Sequence, residues 1–164
     1  MGSLKYKSQG FTLIELLVVV AIIGILASVV MVSLNSARVK GRNAARLESL
    51  NTLRNAFYLA LGDNGSLPVT TDWVCVSSSC YGDWSGFTAD ATVDSFLSAS
   101  LPQKPIDPSG GSRGYGGFVY RNPVALVSGA VGPDIEFIQE LGGSCGPAAT
   151  RVTADYIVCD LLLE

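Results

Sequence analysis

The chain has 164 residues, with 11 basic and 14 acidic side chains, a length that suits one globular domain of ordinary size once an apolar N-terminal segment is set aside. It has no histidine, which removes the commonest general base and the commonest metal ligand. From Gly62 onward four basic residues face twelve acidic ones, and an acidic head excludes a nucleic-acid reader, because phosphate binding needs a basic exposed face.

The first element is an apolar run. From Phe11 to Leu34 every residue is apolar or small apart from Glu15, and these 24 positions make a helix of ~36 Å, enough to cross a bilayer. A secretory signal peptide fits poorly, since Ile25 stands where a small residue is needed ahead of Ala27 and the run continues beyond it. A plain anchor leaves Glu15 unexplained. A charge at mid-membrane costs about 3 kcal/mol on insertion scales, so a carboxylate there is usually paired; near the helix start it can instead reach the headgroups.

The residues around the acid, Lys5, Lys7, Gly10 and then Phe11, Thr12, Leu13, Ile14 and Glu15, closely resemble the processing signature of type IV pilins and the related type II secretion pseudopilins. The resemblance covers about the first 30 residues. It implies a leader of residues 1–10, cleavage between Gly10 and Phe11 by a prepilin peptidase, N-methylation of Phe11 by the same enzyme, and Glu15 as the fifth residue of the mature chain. Cleavage creates an α-ammonium on Phe11 that is largely cationic at neutral pH. The Glu15 of a neighbouring copy can neutralise it, and that pairing fixes one axial stagger between subunits. Many family members carry Pro at the position of Val32, so the usual cause of a helix break is missing here.

Ala21, Gly24, Ala27 and Ser28 recur at steps of three and four, placing small residues on one face, as close membrane-helix packing favours and as membrane helices in general also show. Two lysines precede the span and four basic residues follow it closely, a count that by itself favours the orientation opposite to the one implied by a cytoplasmic leader.

Residues 35–61 continue as an amphipathic stem. Leu47, Leu50, Leu53, Phe57, Ala60 and Leu61 keep a helical period, and the turn residues from Gly62 to Gly65 stop it. A helix from Phe11 to Leu61 would be ~75 Å long, with Gly41 as a site of modest bending. Arg38, Lys40, Arg42, Arg46 and Arg54 make the stem basic, and the expected use of that charge is to meet acidic heads of adjacent subunits.

Residues 62–164 form the head. Asp90 to Ser100 reads as a short helix, and strand-like runs occupy Gly117 to Arg121, Val124 to Val127, Ile135 to Leu141 and Tyr156 to Leu163. The expected fold is α+β, a long N-terminal helix, transmembrane then amphipathic, packed against a small antiparallel sheet. Pro105, Asp107 and Pro108, followed by Phe118 and Tyr120, resemble the connection that precedes the sheet in many heads of the family. Trp73, Tyr81, Trp84 and Phe87 are expected to cover the stem, with a neighbouring subunit as the alternative. The glycine-rich stretch from Gly110 to Gly117 lacks the Lys-Ser/Thr end of a phosphate loop and reads as a connector.

Cys75, Cys80, Cys145 and Cys159 allow three disulfide connectivities outside the cytoplasm. Pairing Cys75 with Cys80 and Cys145 with Cys159 is preferred because each closes a local loop, and the second resembles the C-terminal disulfide loop of many pilins. A four-cysteine zinc site would want tighter spacings. No metal and no cofactor are expected.

The resemblance implies a structural subunit of a type IV pilus, with no catalytic residues. Its expected partners are copies of itself, the prepilin peptidase and methyltransferase, an assembly platform and ATPase, and membrane lipid before assembly. It would sit in the cytoplasmic membrane with its head outside the cytoplasm, then in a cell-surface or periplasmic filament. The alternatives are a pseudopilin of a type II secretion system, and a membrane-tethered binding module or hydrolase. For the last, Asp72, Asp83, Asp107, Asp134 and Asp155 supply carboxylates, but no spacing selects a pair.

Overall fold

The computed structural model describes residues 10–111, 114–125 and 131–163. Most of the expected leader, and Leu126 and Val127 of the second strand-like run, lie outside these residues. The chain divides into two compact units, residues up to Arg38 and residues from Val39 onward. Helix α1, Leu13–Asn64, contributes to both. It is unbroken across Val32 and Gly41, consistent with the absence of proline from its interior.

In the first unit the apolar side chains from Phe11 to Leu34 are exposed, and α1 is long and apolar enough to cross a membrane. In the second unit α1 buries Asn43, Arg46, Leu50, Leu53, Ala56, Phe57 and Ala60, a stripe at steps of three and four. The helix runs three residues beyond the expected stop at Leu61. Gly65 ends it with a positive φ of 78° and an amide that donates to the Leu61 carbonyl at 2.8 Å, a conformation that favours glycine. Gly62 is tolerated within the last turn.

The head is a five-stranded antiparallel sheet in the order β1-β2-β3-β5-β4. Its strands are β1 Val74–Cys75, β2 Phe118–Ala125, β3 Val131–Glu140, β4 Ala149–Val152 and β5 Tyr156–Leu162. The first two strand-like runs of the sequence join into one strand, β2, whose pairing register shifts between Arg121 and Val124. Pro123 lies in that gap, where a residue with no amide hydrogen costs no ladder bond. β1 and β4 have no counterpart among the expected strands; both are short edge strands with little alternation to mark them.

Phe118, Tyr120, Ile135, Phe137, Ile157, Cys159 and Leu161 face α1 and form one core with its buried stripe. Phe57 stacks on Tyr120 with ring centroids 4.6 Å apart. Helix α2, Ala91–Leu97, adds Val93 and Leu97 to this core. Asp90 caps α2 by accepting from the amides of Thr92 and Val93 at 2.9 and 3.0 Å, so the expected helix starts as read but ends before Ser98.

Alternation sends Val119 and Ile138 to the opposite face of the sheet, where they pack with Trp84, Trp73, Phe87, Tyr115 and Tyr156. This corrects the expectation that the aromatics around the first cysteine pair cover the stem. The stem side is already filled by the strands' own inward-facing residues, and Trp73, Trp84 and Phe87 close the other face.

Candidate assembly site

The N-terminus of α1 is built by a reciprocal cap. The Thr12 amide and hydroxyl donate to Glu15 Oε2 at 2.8 and 2.7 Å, and the Glu15 amide donates back to Thr12 Oγ1 at 3.3 Å. This is a capping box, which satisfies otherwise orphaned amides of the first turn and places a carboxylate at the positive end of the helix dipole. The sequence carries the Thr-x-x-Glu spacing of this cap, but inside an apolar run the acid reads first as a membrane charge rather than as a helix cap. Both donors use Oε2. No bond to Oε1 occurs among the described residues, and Glu15 lines a shallow apolar hollow with Phe11, Ile14, Val18 and Val19.

Ser28 Oγ donates to the Gly24 carbonyl at 2.9 Å, so the hydroxyl is satisfied within its own helix. A methyl group added at Gly24 would meet nothing within 4 Å in this chain.

The stem's charges are placed differently. Arg46 is 1% exposed and forks onto Asp107, with Nε to Oδ2 at 2.8 Å and Nη2 to Oδ1 at 3.0 Å. Its Nη1 reaches Asn43 Oδ1 at 3.1 Å and Glu140 Oε1 at 3.3 Å. Arg42 also forks onto Glu140, with Nη2 to Oε2 at 2.6 Å. Asn43 meets the end of β3 as a strand would: its Oδ1 accepts the Glu140 amide at 2.9 Å and its Nδ2 donates to the Glu140 carbonyl at 3.0 Å. Gly143 lies so close that a methyl group there would stand 2.6 Å from Asn43 Nδ2.

Burial pushes the Asp107 carboxyl up, but the Arg46 guanidinium and the Ser109 amide and hydroxyl outweigh it and hold it below the usual carboxylate range. Glu140 raises the Arg42 guanidinium. Arg42 and Arg46 are therefore committed within their own chain, which corrects the expectation that the whole basic stem is available to neighbouring heads. The sequence marks Asp107 by its Asp-Pro context and as one of several candidate acids, and gives no role to Asn43 or Glu140; no local pattern pairs residues 61 or 97 positions apart.

Cys75 is bonded to Cys80 and Cys145 to Cys159. The second bridge ties the turn after β3 to β5, inside the core that includes Leu50 and Phe57. Among the described residues no group of three or more Cys, Asp or Glu is placed to hold a metal ion.

Residues 5–31 match a family model described as the prokaryotic N-terminal methylation motif. The N-terminus is of the prepilin type. Among curated proteins the chain is similar to type II secretion system core protein G of Pectobacterium carotovorum subsp. carotovorum, with 33% identity over 69 residues, 42% of this chain and 44% of that protein. It is similar to the protein of the same name from Aeromonas hydrophila, with 36% identity over 66 residues, 40% of this chain and 46% of that one. The protein of that name from Escherichia coli strain K12 is 38% identical over 64 residues, 39% of this chain and 44% of its own length. The chain spans less than half the length of the curated relatives it matches. No solved structure matches. These relatives favour the secretion alternative over the pilus that the sequence reading put first.

Proposed function

We propose that this chain is a pseudopilin, a structural subunit of a type II secretion system rather than an enzyme. The observation that carries the proposal is the coincidence of a prepilin-type N-terminus with relatives named type II secretion system core protein G. In this reading residues 1–10 are a leader that stays cytoplasmic, residues 11–34 span the membrane, residues 35–61 form the stem, and the head from residue 62 faces away from the cytoplasm. The prepilin peptidase and methyltransferase cut between Gly10 and Phe11 and methylate Phe11, and an assembly platform and its ATPase move the subunit from lipid into a filament of its own copies.

The cap geometry supports a specific division of labour at Glu15. Oε2 holds the start of its own helix through Thr12, while Oε1 receives the Phe11 ammonium of the next copy; one carboxylate serves both. Ala21, Gly24, Ala27 and Ser28 then offer a face on which a second helix can approach closely. Of the basic stem residues, Arg38, Lys40 and Arg54 remain for acidic neighbours.

Mass spectrometry of the native protein tests the processing step: the expected chain starts at N-methylated Phe11, and an unprocessed amino terminus overturns it. Deleting the gene in its host separates the two filament readings, since a pseudopilin's loss traps exported proteins in the periplasm and leaves surface fibres intact. A type IV pilus subunit is the second reading, favoured by the Cys145–Cys159 loop near the C-terminus; loss of fibres with normal secretion would select it.

A further inference from the structure

The face of the sheet turned away from α1 carries three carboxylates at adjoining positions. Glu136 on β3 stands directly opposite Asp160 on β5, and Asp134 lies two residues further along β3, on the same face by strand alternation. All three are buried, with 1% of Asp134, 8% of Glu136 and 7% of Asp160 exposed. Neither oxygen of Asp134 has a hydrogen-bond partner among the described residues. Like charges directly opposite one another in a sheet repel, and a buried carboxylate without a partner strongly favours its neutral form.

The neighbouring elements supply little compensation. β4 provides Arg151, whose Nη2 reaches Glu136 Oε1 at 3.3 Å from a half-exposed side chain. β2 provides Arg121, the register partner of Asp134, but its guanidinium lies over the Trp73 ring, 6.0 Å from the centroid, and its buried Nε has no hydrogen-bond partner among the described residues. Leu162 on β5 faces Asp134 and adds no charge. Beyond Ile138 the same face continues with Tyr115 and Tyr156, packed on each other at 5.0 Å.

We propose that Asp134, Glu136 and Asp160, crowded and buried on one face of the sheet, form a proton-sensitive cluster that ties the stability of the head to the pH around it. Burial, then the nearby Asp160 and Glu136, push Asp134 up to about 7. Burial and Asp160 push Glu136 to about 7 against the opposing pull of Arg151. Asp160 is raised by burial, again against Arg151. In the unfolded chain these groups release their protons at about pH 4. The folded head therefore holds more protons than the unfolded chain between about pH 4 and pH 7, so this cluster's contribution is largest at the acid end, falls as pH rises through that window, and levels off above it. The cluster acts within one subunit and does not depend on filament assembly.

The test is thermal unfolding of the full chain in detergent micelles, scanned from about pH 5 to about pH 8, where the native midpoint is expected to fall by several degrees as pH rises. In Asp134→Asn combined with Glu136→Gln the slope flattens, because the midpoint at the alkaline end rises towards the acid value. Infrared spectroscopy of the native chain at neutral pH gives an independent reading: a protonated carboxyl band is expected, and Asp160→Asn, which removes one repelling charge, moves its loss to lower pH. A native midpoint that does not change over this range overturns the proposal. So does a slope that survives in the double variant, or a native chain with no protonated carboxyl at neutral pH.

Discussion

Helix α1 handles charge in two opposite ways in its two units. Before Arg38 it carries one acid, Glu15, whose only partner among the described residues is a threonine three positions away. After Val39 it buries Arg46 and half-buries Arg42, and every contact they make there reaches across the fold or along the next helical turn. An isolated charge in lipid is tolerable when another molecule supplies the counterion, whereas a charge inside a folding head must be matched before any neighbour arrives. In the proposed reading Glu15 belongs to assembly, whereas the structure commits Arg46 to its own subunit.

The largest effect expected from this contrast lies in the second unit. Arg46→Met strands Asp107 and part of Glu140 in the interior and should cost about 3–5 kcal/mol, read as a lower denaturant midpoint of the full chain in micelles; a change within error would mean that the fork is not needed. Replacing both Cys145 and Cys159 by serine opens a loop with a sequence separation of 14 and should cost about 3 kcal/mol. Asn43→Ala removes both contacts to the Glu140 backbone and leaves buried groups unpaired, for a loss of about 1–3 kcal/mol, and hydrogen exchange at the Glu140 amide should rise with it.

In the first unit Glu15→Ala should shift head stability by less than about 0.5 kcal/mol, because the bonds Glu15 makes are to Thr12, three residues away, yet in the proposed reading it should abolish filament formation as judged by electron microscopy. Filaments at normal abundance would remove its assembly role. The smallest expected effect is a pH signature. Asp107 has a folded pKa below its unfolded value, so the stability it contributes is complete above about pH 4 and is lost as pH falls through the folded value. The outer-face carboxylates have the reverse shift, and the head should be most stable on the acid side of neutrality, near pH 5. An Asp107→Asn chain should lose the acid limb of that profile and keep the neutral one.

Much of the first unit and the stem was legible in the residues themselves. The apolar run, the glycine before Phe11, the Thr-x-x-Glu spacing and the stripe from Leu47 to Ala60 are patterns within a few turns of one helix, and helices are written locally. The start of α2 at Asp90 was equally plain, since an N-cap acts on amides two and three residues away. The edge strands β1 and β4 were not, because strands of two and four residues are defined by the partner that hydrogen-bonds them.

By itself, then, the order of residues determined a prepilin-type N-terminus, a membrane-length helix, an amphipathic stem and a turn-rich α+β head, all properties of short windows of chain. Only the tertiary structure decided that Arg46 meets Asp107, that Asn43 caps β3, and that Asp134, Glu136 and Asp160 crowd one face. Those outcomes depend on strand register and on the packing of α1 against the sheet, which bring together residues far apart in sequence, and period-two alternation then assigns each to a side.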